Sequence, residues 1–403
     1  PLRDDVIRVH ISQQEGQSLD RNQLRADLGT IYALDHWQII DYEVVSDQAD
    51  GNVLEIHARS KTWGDNNLKF GLNLVTDMDG SSDINLGVSY LWKGITELGG
   101  ELYARGQVGD TTLFGAEFYQ PMDVRSRFFI APYAGYRDSD VTTLGPEFGA
   151  ADPAGAWRVR RLSTQFDLGW NAFKNSQLRL GVFRNYGEYR TDIEIGGSLP
   201  EDEFNEGGVL ASLRYDRLDN AFFPTRGGFL YGDYRAMRSE LGADTDFERW
   251  QAIAQGAFSF GAEDRNTIIL TGRTGQSTDA PNDPQNDFQL GGLFNLSGLS
   301  QNQFSGRQVA FAMAQYQRRL SDTSVLPFNL PAYLGASIEG GELWSDRSDV
   351  STSDFITGGS IYLAVDSPLG PLYFAYGRTE DSRDALYLSL GWPFLNNQFR
   401  IGR

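Results

Sequence analysis

The chain has 403 residues, of which 45 are glycine and 13% are aromatic, and its formal net charge is −19. No stretch approaches the ~18 consecutive apolar residues of a transmembrane helix. Cysteine is absent, which excludes disulfides, thiolate nucleophiles and Cys-ligated metals. The negative charge argues against nucleic acid as a partner, because a phosphate-binding surface needs clustered Lys and Arg.

The positions of the histidines argue against several kinds of catalysis. His10, His36 and His57 are the only ones, so the chain beyond them lacks the usual general base. No G-x-S-x-G string occurs, and the nearest one, at 298–302, lacks the final glycine. The sequence therefore predicts no catalytic residue, cofactor or metal site, and we expect that this chain is not itself an enzyme.

The first sixty residues predict a small α+β unit. Residues 6–11 alternate and are rich in β-branched side chains, which indicates a strand. Asp20 and Gln23 have the spacing of a capping box and predict the start of a helix. Residues 42–45 and 53–57 predict two strands joined by a turn. The predicted order is strand, helices, strand, strand.

The remaining chain alternates polar turns with segments of period two, from which we predict sixteen strands. One face is apolar and the other is small or polar, as in Ile361 and Leu363 against Ser360. This pattern fits a soluble sheet or a membrane barrel. The predicted strands lie near 66–76, 82–92, 97–108, 110–120, 126–138, 157–171, 176–190, 206–217, 227–239, 246–261, 266–276, 307–320, 331–344, 355–366, 370–380 and 385–394.

Strand length and loop order favour the membrane barrel. Many segments exceed the ~5–6 residues of soluble strands and suit a tilted crossing of ~9–11 residues. Every second connection is short, as in outer-membrane barrels, where periplasmic turns are short and extracellular loops long. The long, acidic connections are 139–156, 191–205, 277–306 and 345–354. We predict a mostly β fold, with an α+β domain over 1–62 and a sixteen-stranded antiparallel transmembrane β-barrel over 63–403.

Two segments resemble those of a known superfamily, that of BamA and the two-partner secretion transporters. Residues 219–228 (DNAFFPTRGG) are similar to its turn entering the middle of the barrel. Residues 291–299 (GGLFNLSGL) fall in the long sixth extracellular loop, where that superfamily has an Arg-Gly-Tyr-type motif folded into the lumen. Ser297 occupies the Arg position and Leu299 the aromatic position. The N-terminal unit resembles a single POTRA (polypeptide-transport-associated) domain.

One POTRA domain, a sixteen-stranded barrel and a Leu-Ser-Gly loop together most resemble the patatin-type autotransporters of type Vd secretion. The resemblance implies a barrel in the bacterial outer membrane, a periplasmic POTRA domain and a patatin-like lipase passenger ahead of this chain. Any lipase activity would belong to that passenger. The implied partners are a covalently linked or exported passenger polypeptide, outer-membrane lipid and lipopolysaccharide, and the barrel assembly machinery. Whether the chain forms a homodimer stays open.

The lumen-loop motif is the first candidate site and consists of Phe294, Asn295, Leu296, Ser297 and Gly298. Residues 291–306 contain several large apolar side chains and no charge, so they suit a lumen plug better than a flexible surface loop. Inward charges would either keep the lumen wet or pair with this plug. The predicted inward charges are Glu117, Arg214, Asp216, Arg318 and Asp366.

The seam between the first and last barrel strands is the second candidate site. Every backbone donor in hydrocarbon needs an acceptor, because no water can substitute. Pro393 has no N–H, and Gly71 and Gly391 weaken strand interiors. Fewer hydrogen bonds at this seam would make it a lateral gate. The alternative is that Pro393 only ends the last strand.

The leading hypothesis is an outer-membrane transporter and anchor for an exported polypeptide. A passive porin is the first alternative, and it would need no POTRA domain. A barrel hydrolase is the second, although the predicted strands lack a histidine base. The third is a BamA-like assembly factor, which usually has several POTRA units and the Arg-Gly motif.

Overall fold

A computed structural model gives the architecture of the protein. No helix among the described residues is long and apolar enough to span a membrane. The structure describes residues 4–32, 37–47, 51–60, 66–76, 82–144, 153–173, 175–193, 202–281, 284–321, 330–345 and 355–391.

The N-terminal unit consists of two helices followed by a two-stranded antiparallel sheet. The second helix, α2 (Arg21–Tyr32), is capped by Asp20, whose Oδ1 accepts hydrogen bonds from the amides of Asn22 and Gln23 at 2.9 and 3.1 Å. The predicted helix start is therefore confirmed. The elements are α1 (Asp4–Arg8), α2 (Arg21–Tyr32), β1 (Trp37–Asp47) and β2 (Gly51–Ser60).

The predicted strand at residues 6–11 is wrong, because the chain forms α1 there. Asp4 and Asp5 lie in the first turn and Arg8 in the last, an arrangement that the helix dipole favours. Val6 is buried on this short helix. Local charge and packing thus override the β propensity, and the observed order is helix, helix, strand, strand.

Sixteen strands close into an antiparallel barrel, which confirms the predicted fold class. The barrel strands are β3 (Asn67–Thr76), β4 (Ser82–Trp92), β5 (Glu101–Gly109), β6 (Thr112–Pro121), β7 (Phe128–Leu144), β8 (Pro153–Trp170), β9 (Ser176–Ile193), β10 (Asp202–Asp216), β11 (Gly227–Met237), β12 (Phe247–Phe260), β13 (Asn266–Thr278), β16 (Gln308–Ser321), β17 (Ala332–Trp344), β18 (Ile356–Ser367), β19 (Gly370–Thr379) and β20 (Asp384–Leu390). A separate hairpin of β14 (Phe288–Leu290) and β15 (Phe304–Gly306) lies between β13 and β16.

Side chains alternate between the outside and the lumen along each strand. On β18, Ile361 and Leu363 are 63% and 52% exposed, whereas Ser360 and Tyr362 are buried. The apolar residues of β18 therefore face outward, as expected for contact with lipid. Arg318 is exposed and alternates with buried Gln317, so its prediction as an inward charge is wrong.

Strand β16 reverses the expected orientation. Its large apolar residues Phe311 and Met313 are buried and face the lumen, while Ala312 and Ala314 are exposed on the outside. The reversal arises because the segment between β13 and β16 packs inside the barrel against this strand. A lumen-facing side chain can be apolar where protein, rather than water, lies next to it.

Substitutions on β16 test this reversal. Phe311→Ala should lower the free energy of unfolding by about 3–5 kcal/mol, because it leaves a cavity in a packed core. Ala312→Leu, on the outside, should change it by less than about 0.5 kcal/mol. Urea unfolding in phospholipid vesicles, followed by tryptophan fluorescence, measures both. Equal effects of the two substitutions would contradict the reversed orientation.

Candidate functional site

The connection between β13 and β16 folds into the barrel as a docked loop. The hairpin of β14 and β15 forms its stem, and residues 291–303 form its tip. The stem and tip bury apolar side chains against the lumen faces of β16 and β17. The buried cluster contains Phe288, Leu290, Leu296, Leu299, Phe304, Val309, Phe311, Met313 and Leu343.

A single carboxylate on β17 receives the tip of the docked loop. Glu339, which is 1% exposed, accepts hydrogen bonds at Oε2 from the amides of Leu296 and Ser297, at 2.8 and 2.7 Å. Its Oε1 accepts the Ser297 hydroxyl at 2.7 Å. Ser297, which the sequence comparison placed at the Arg position of the Arg-Gly-Tyr-type motif, thus contributes both an amide and a hydroxyl donor.

Two serines on the barrel wall support this carboxylate. The Ser337 hydroxyl donates to Glu339 Oε1 at 2.6 Å, and its oxygen lies 2.7 Å from the Ser360 hydroxyl. Because Ser337 gives its proton to Glu339, Ser360 is the donor of the second bond. Among the described residues, Glu339 has no Lys or Arg ion-pair partner. Four hydrogen bonds therefore compensate for the lost hydration of this buried charge.

The backbone of the loop tip is strained. Phe294 and Leu296 have φ values of +60° and +81°, in the left-handed region that side chains other than glycine rarely adopt. Each such residue costs on the order of 1–3 kcal/mol and persists only where its surroundings hold it. The hydrogen bond that the Leu296 amide donates to Glu339 is one of the contacts that hold the tip in this conformation.

Glycines allow the tip to approach the wall backbone closely. A Cβ on Gly298 would lie 2.7 Å from the Thr379 amide nitrogen. On the wall, a Cβ on Gly377 would lie 2.7 Å from the Gly298 nitrogen, and one on Gly358 would lie 2.9 Å from the Ser297 oxygen. Any side chain at these positions would displace the tip.

The last barrel strand also binds the tip. The Gly298 amide donates to the Tyr387 hydroxyl at 2.9 Å, and that hydroxyl donates to the Leu299 carbonyl at 2.6 Å. Tyr387, on β20, is 1% exposed. The docked loop is thus bonded to β17 through Glu339 and to β20 through Tyr387.

An aromatic column continues from the tip toward the opposite mouth of the barrel. Phe294 contacts Tyr362 and Tyr373 edge-on, with ring centroids 5.2 and 5.3 Å apart. Tyr373 also lies 5.6 Å from Phe223, which stacks on Tyr333 at 4.3 Å. Phe223 belongs to the turn at 219–228, the other segment that carries the resemblance. Tyr373 therefore contacts segments that enter from both ends of the barrel.

Hydrogen bonds to Asp219 fix the shape of that turn. Oδ1 accepts the amides of Thr225 and Arg226, and Oδ2 accepts the Thr225 hydroxyl. Burial alone would raise the pKa of Asp219, but these bonds outweigh it and hold the pKa below its ordinary value. The resulting stabilisation is present at neutral pH and is lost as pH falls through the lowered pKa.

The structure brings the five predicted motif residues together at one docking site, but it does not bring the predicted inward charges to them. Arg214 and Asp216 form an ion pair with each other at 2.9 Å. Glu117 pairs with Arg179 at 2.9 Å. These charges line other parts of the lumen wall.

The predicted seam residues do not belong to the docking site of the loop. Within the residues that the structure describes, Leu390↔Leu74 is the single ladder pair between β20 and β3. Gly391, at φ +113°, approaches β3 so closely that a Cβ would lie 1.6 Å from the Leu72 oxygen. Gly71 is paired with β4. Pro393 lies outside the described residues, and whether the seam opens stays a prediction.

Four residues of the docking site were not predicted from the sequence: Glu339, Tyr387 and the wall glycines Gly358 and Gly377. The strand pattern indicates that each has a lumen-facing position. Their grouping depends on which strands are neighbours and in what register, and the pattern of a single strand does not contain that information. The one sequence signal for Glu339 was an acidic residue at a lumen-facing position of a predicted strand.

A closed sixteen-stranded barrel with a protein loop docked in its lumen defines a class of outer-membrane transporter. Residues 99–394 match the Omp85 superfamily domain, and the chain belongs to this superfamily. No curated protein matches the sequence. Membership and the barrel together identify a bacterial outer-membrane protein with a transporter or translocase role.

Three solved structures share the fold at low sequence identity. BamA from Haemophilus ducreyi lacking POTRA domains 1–3 has 13% identity and a TM-score of 0.71, over 96% of this chain and 81% of that one. CdiB from Acinetobacter baumannii has 12% identity and a TM-score of 0.61, over 97% and 71%. CdiB from Escherichia coli has 15% identity and a TM-score of 0.60, over 96% and 74%.

Glu339→Gln should loosen the docked loop. An amide –NH₂ would replace one of two carboxylate oxygens that face N–H and O–H donors, and each hydrogen bond to a charged group contributes about 1.5–3 kcal/mol. We expect at least about a tenfold rise in the fraction of time a large conductance is open. Planar-bilayer recording measures it, with a variant lacking 290–304 as the fully open reference.

The matched control is Ile338→Ala on the outer face of the same strand, where Ile338 is 75% exposed. This variant should keep the conductance of the unaltered chain. A steady, porin-like conductance in the unaltered chain would contradict closure by the loop.

Gly377→Ala should also release the loop, because the added methyl group would overlap the Gly298 amide. The substitution should raise bilayer conductance in the full chain and have no effect once 290–304 are deleted. Gly272→Ala, with nothing within 4 Å of its Cβ, is the control for a strand glycine. An equal effect in the presence and absence of the loop would show that the barrel itself, not docking, is perturbed.

Proposed function

We propose that the chain moves an exported polypeptide across, or inserts it into, the outer membrane, and that the docked loop is its resting closure. The observation that carries this proposal is the built docking site, in which Glu339 and Tyr387 bond the loop tip from two strands. A passive pore has no need for a strained, tightly fitted loop tip. The loop explains how a wide barrel stays closed until a substrate engages it.

We also propose that residues 1–62 form a periplasmic POTRA domain and that 63–403 form the barrel domain. Two helices beside a β-hairpin support this division, although α1 replaces the expected first strand. In the described residues, β1 and β2 pair with each other. Their remaining edges suit an extended polypeptide that adds as another strand.

Two transport modes fit this architecture equally well. In the first, a patatin-like lipase passenger precedes the chain and is anchored or exported by it. In the second, the barrel exports a separate partner polypeptide, as a two-partner translocase. In both modes the chain itself transports and does not catalyse. A BamA-like role in assembling other barrels is a third mode, supported by fold likeness.

Cross-linking the seam tests whether transport requires β3 and β20 to separate. Leu74 and Leu390 are Cα partners across the seam, and the chain contains no cysteine that would compete. Oxidation of Leu74→Cys/Leu390→Cys should stop export of the passenger, and reduction should restore it. Export is followed by protease accessibility of the passenger on whole cells.

The control pair is Leu72→Cys/Leu86→Cys, which joins partners on β3 and β4. Its oxidation should leave export unchanged. Unchanged export after seam oxidation would remove the lateral gate and direct the polypeptide through the lumen instead. Loss of export with both pairs would indicate a general requirement for barrel flexibility.

A further inference from the structure

One side of the lumen, which we name the arginine wall, has an excess of guanidinium groups. Its arginines alternate with outward residues, as Arg161 does with Leu162, which is 53% exposed. The protein as a whole is strongly acidic, so this grouping is opposite in sign to its net charge. The wall consists of Arg137, Arg161, Arg179, Arg214, Arg235, Arg249 and Arg273 on β7 to β13.

Most of these guanidinium groups are positioned by phenylalanine rings. A ring face compensates the charge by cation–π attraction, and it leaves the five in-plane N–H donors of arginine available. The stacks and their distances to the ring centroid are Arg161 on Phe204 at 5.3 Å, Arg179 on Phe129 at 5.3 Å, Arg214 on Phe229 at 5.6 Å, Arg235 on Phe183 at 5.2 Å, and Arg249 and Arg273 on Phe288 at 4.4 and 5.9 Å.

The wall also places like charges directly opposite each other. Arg137 is the cross-strand partner of Arg161, and Arg235 is the partner of Arg249. Like charges in such pairs are destabilising. Within the part of the chain that is described, Arg137 and Arg249 have no carboxylate at ion-pair distance. Their partners are each paired with a carboxylate, Arg161 with Glu206 and Arg235 with Asp233, both at 3.4 Å. One guanidinium of each pair therefore keeps a charge that no carboxylate of the described residues neutralises.

Several donors on this wall lack acceptors. The Nε atoms of Arg137, Arg161 and Arg273 are buried without a hydrogen-bond partner in the described structure. A buried donor without an acceptor costs about 1–3 kcal/mol, and more when it is charged. Of the other four wall arginines, Arg179, Arg214 and Arg235 line a cavity together with Gln165, Gln177, Leu210, Ser212, Tyr231 and Asp233. The three residues with a buried Nε are themselves only half-buried, so an anionic ligand in the lumen would bond to their terminal N–H groups.

We propose that the arginine wall binds a carboxylate-rich, extended segment of the transported polypeptide. This inference rests on the proposed function and names the chemistry of its substrate. Seven strands at ~4.8 Å spacing extend about 29 Å, and an extended chain at ~3.3 Å per residue covers that length with about nine residues. A lipid phosphate group would cover only a small part of the wall, which faces the lumen rather than the bilayer.

The test measures block of the open lumen by defined peptides. The full chain and the variant lacking 290–304 are recorded in planar bilayers with nonaglutamate, nonalysine or inorganic phosphate added. Nonaglutamate should block at a concentration at least about tenfold lower than nonalysine or phosphate. The block should weaken as salt rises, because the interaction is ionic.

Arg137→Gln/Arg249→Gln removes two arginines that lack a carboxylate partner and should weaken nonaglutamate block about tenfold. The matched control is Arg158→Gln/Arg160→Gln on the outer face of β8, which should leave the block unchanged. Heat-modifiable migration in gels verifies that each variant forms a barrel. If the inward variant does not assemble, the comparison of the three probes on the variant that lacks only 290–304 still decides.

Equal block by nonaglutamate and nonalysine would overturn the proposal, as would unchanged block in an assembled inward variant. Phosphate that blocks as well as the peptide would show a site for small anions and would also overturn it. The measurement needs no passenger. Selective block in a chain that exports nothing in cells would therefore retain the acidic-peptide site while refuting the transport role.

Discussion

A barrel of sixteen strands is too wide for its own inward side chains to fill, and the rest of the structure depends on this constraint. Closure itself is imposed by the bilayer, since every backbone donor in hydrocarbon needs a partner within the protein. Closure leaves a lumen that must hold water or protein. The loop between β13 and β16 fills part of it and brings its own apolar core. The inward face of β16 is apolar, with Phe311 and Met313, because the loop packs against it.

The lumen compensates part of its buried charge by means other than opposite charges. On β17, Glu339 is held by amide and hydroxyl donors from the loop and the wall. On the arginine wall, six guanidinium groups lie over phenylalanine rings, and in the described structure four of these six also pair with a carboxylate, as Arg235 does with Asp233 at 3.4 Å. A transported chain could replace the hydrogen bonds to Glu339, or the contacts of the arginines, with contacts of its own. A lumen closed by strong, fully paired ion networks would be harder to open.

Much of the fold could be predicted because barrel strands follow a local rule. The period of two and the polar turns predict sixteen strands in antiparallel order. The lumen plug at 291–306 was predicted from its apolar side chains, its lack of charge and the resemblance to the superfamily's sixth loop. The prediction of a strand at 6–11 was wrong because Asp4, Asp5 and Arg8 favour a helix. The docking site could not be predicted in full. Glu339 and Gly377 meet Ser297 and Gly298 only through strand register, which no single segment encodes.

The placement of the docking contacts links the two ways in which the barrel could open. Tyr387 lies on β20, the strand that forms the seam with β3, and its hydroxyl bonds the loop at Gly298 and Leu299. Movement of β20 away from β3 would displace this hydroxyl, while release of the loop would remove a bond that positions β20. The seam strand and the docked loop are therefore joined by the contacts of one hydroxyl group. On the other side, Phe223 at the opposite mouth is joined to the same loop through Tyr373 and Phe294, so one chain of contacts runs from the loop to both ends of the barrel.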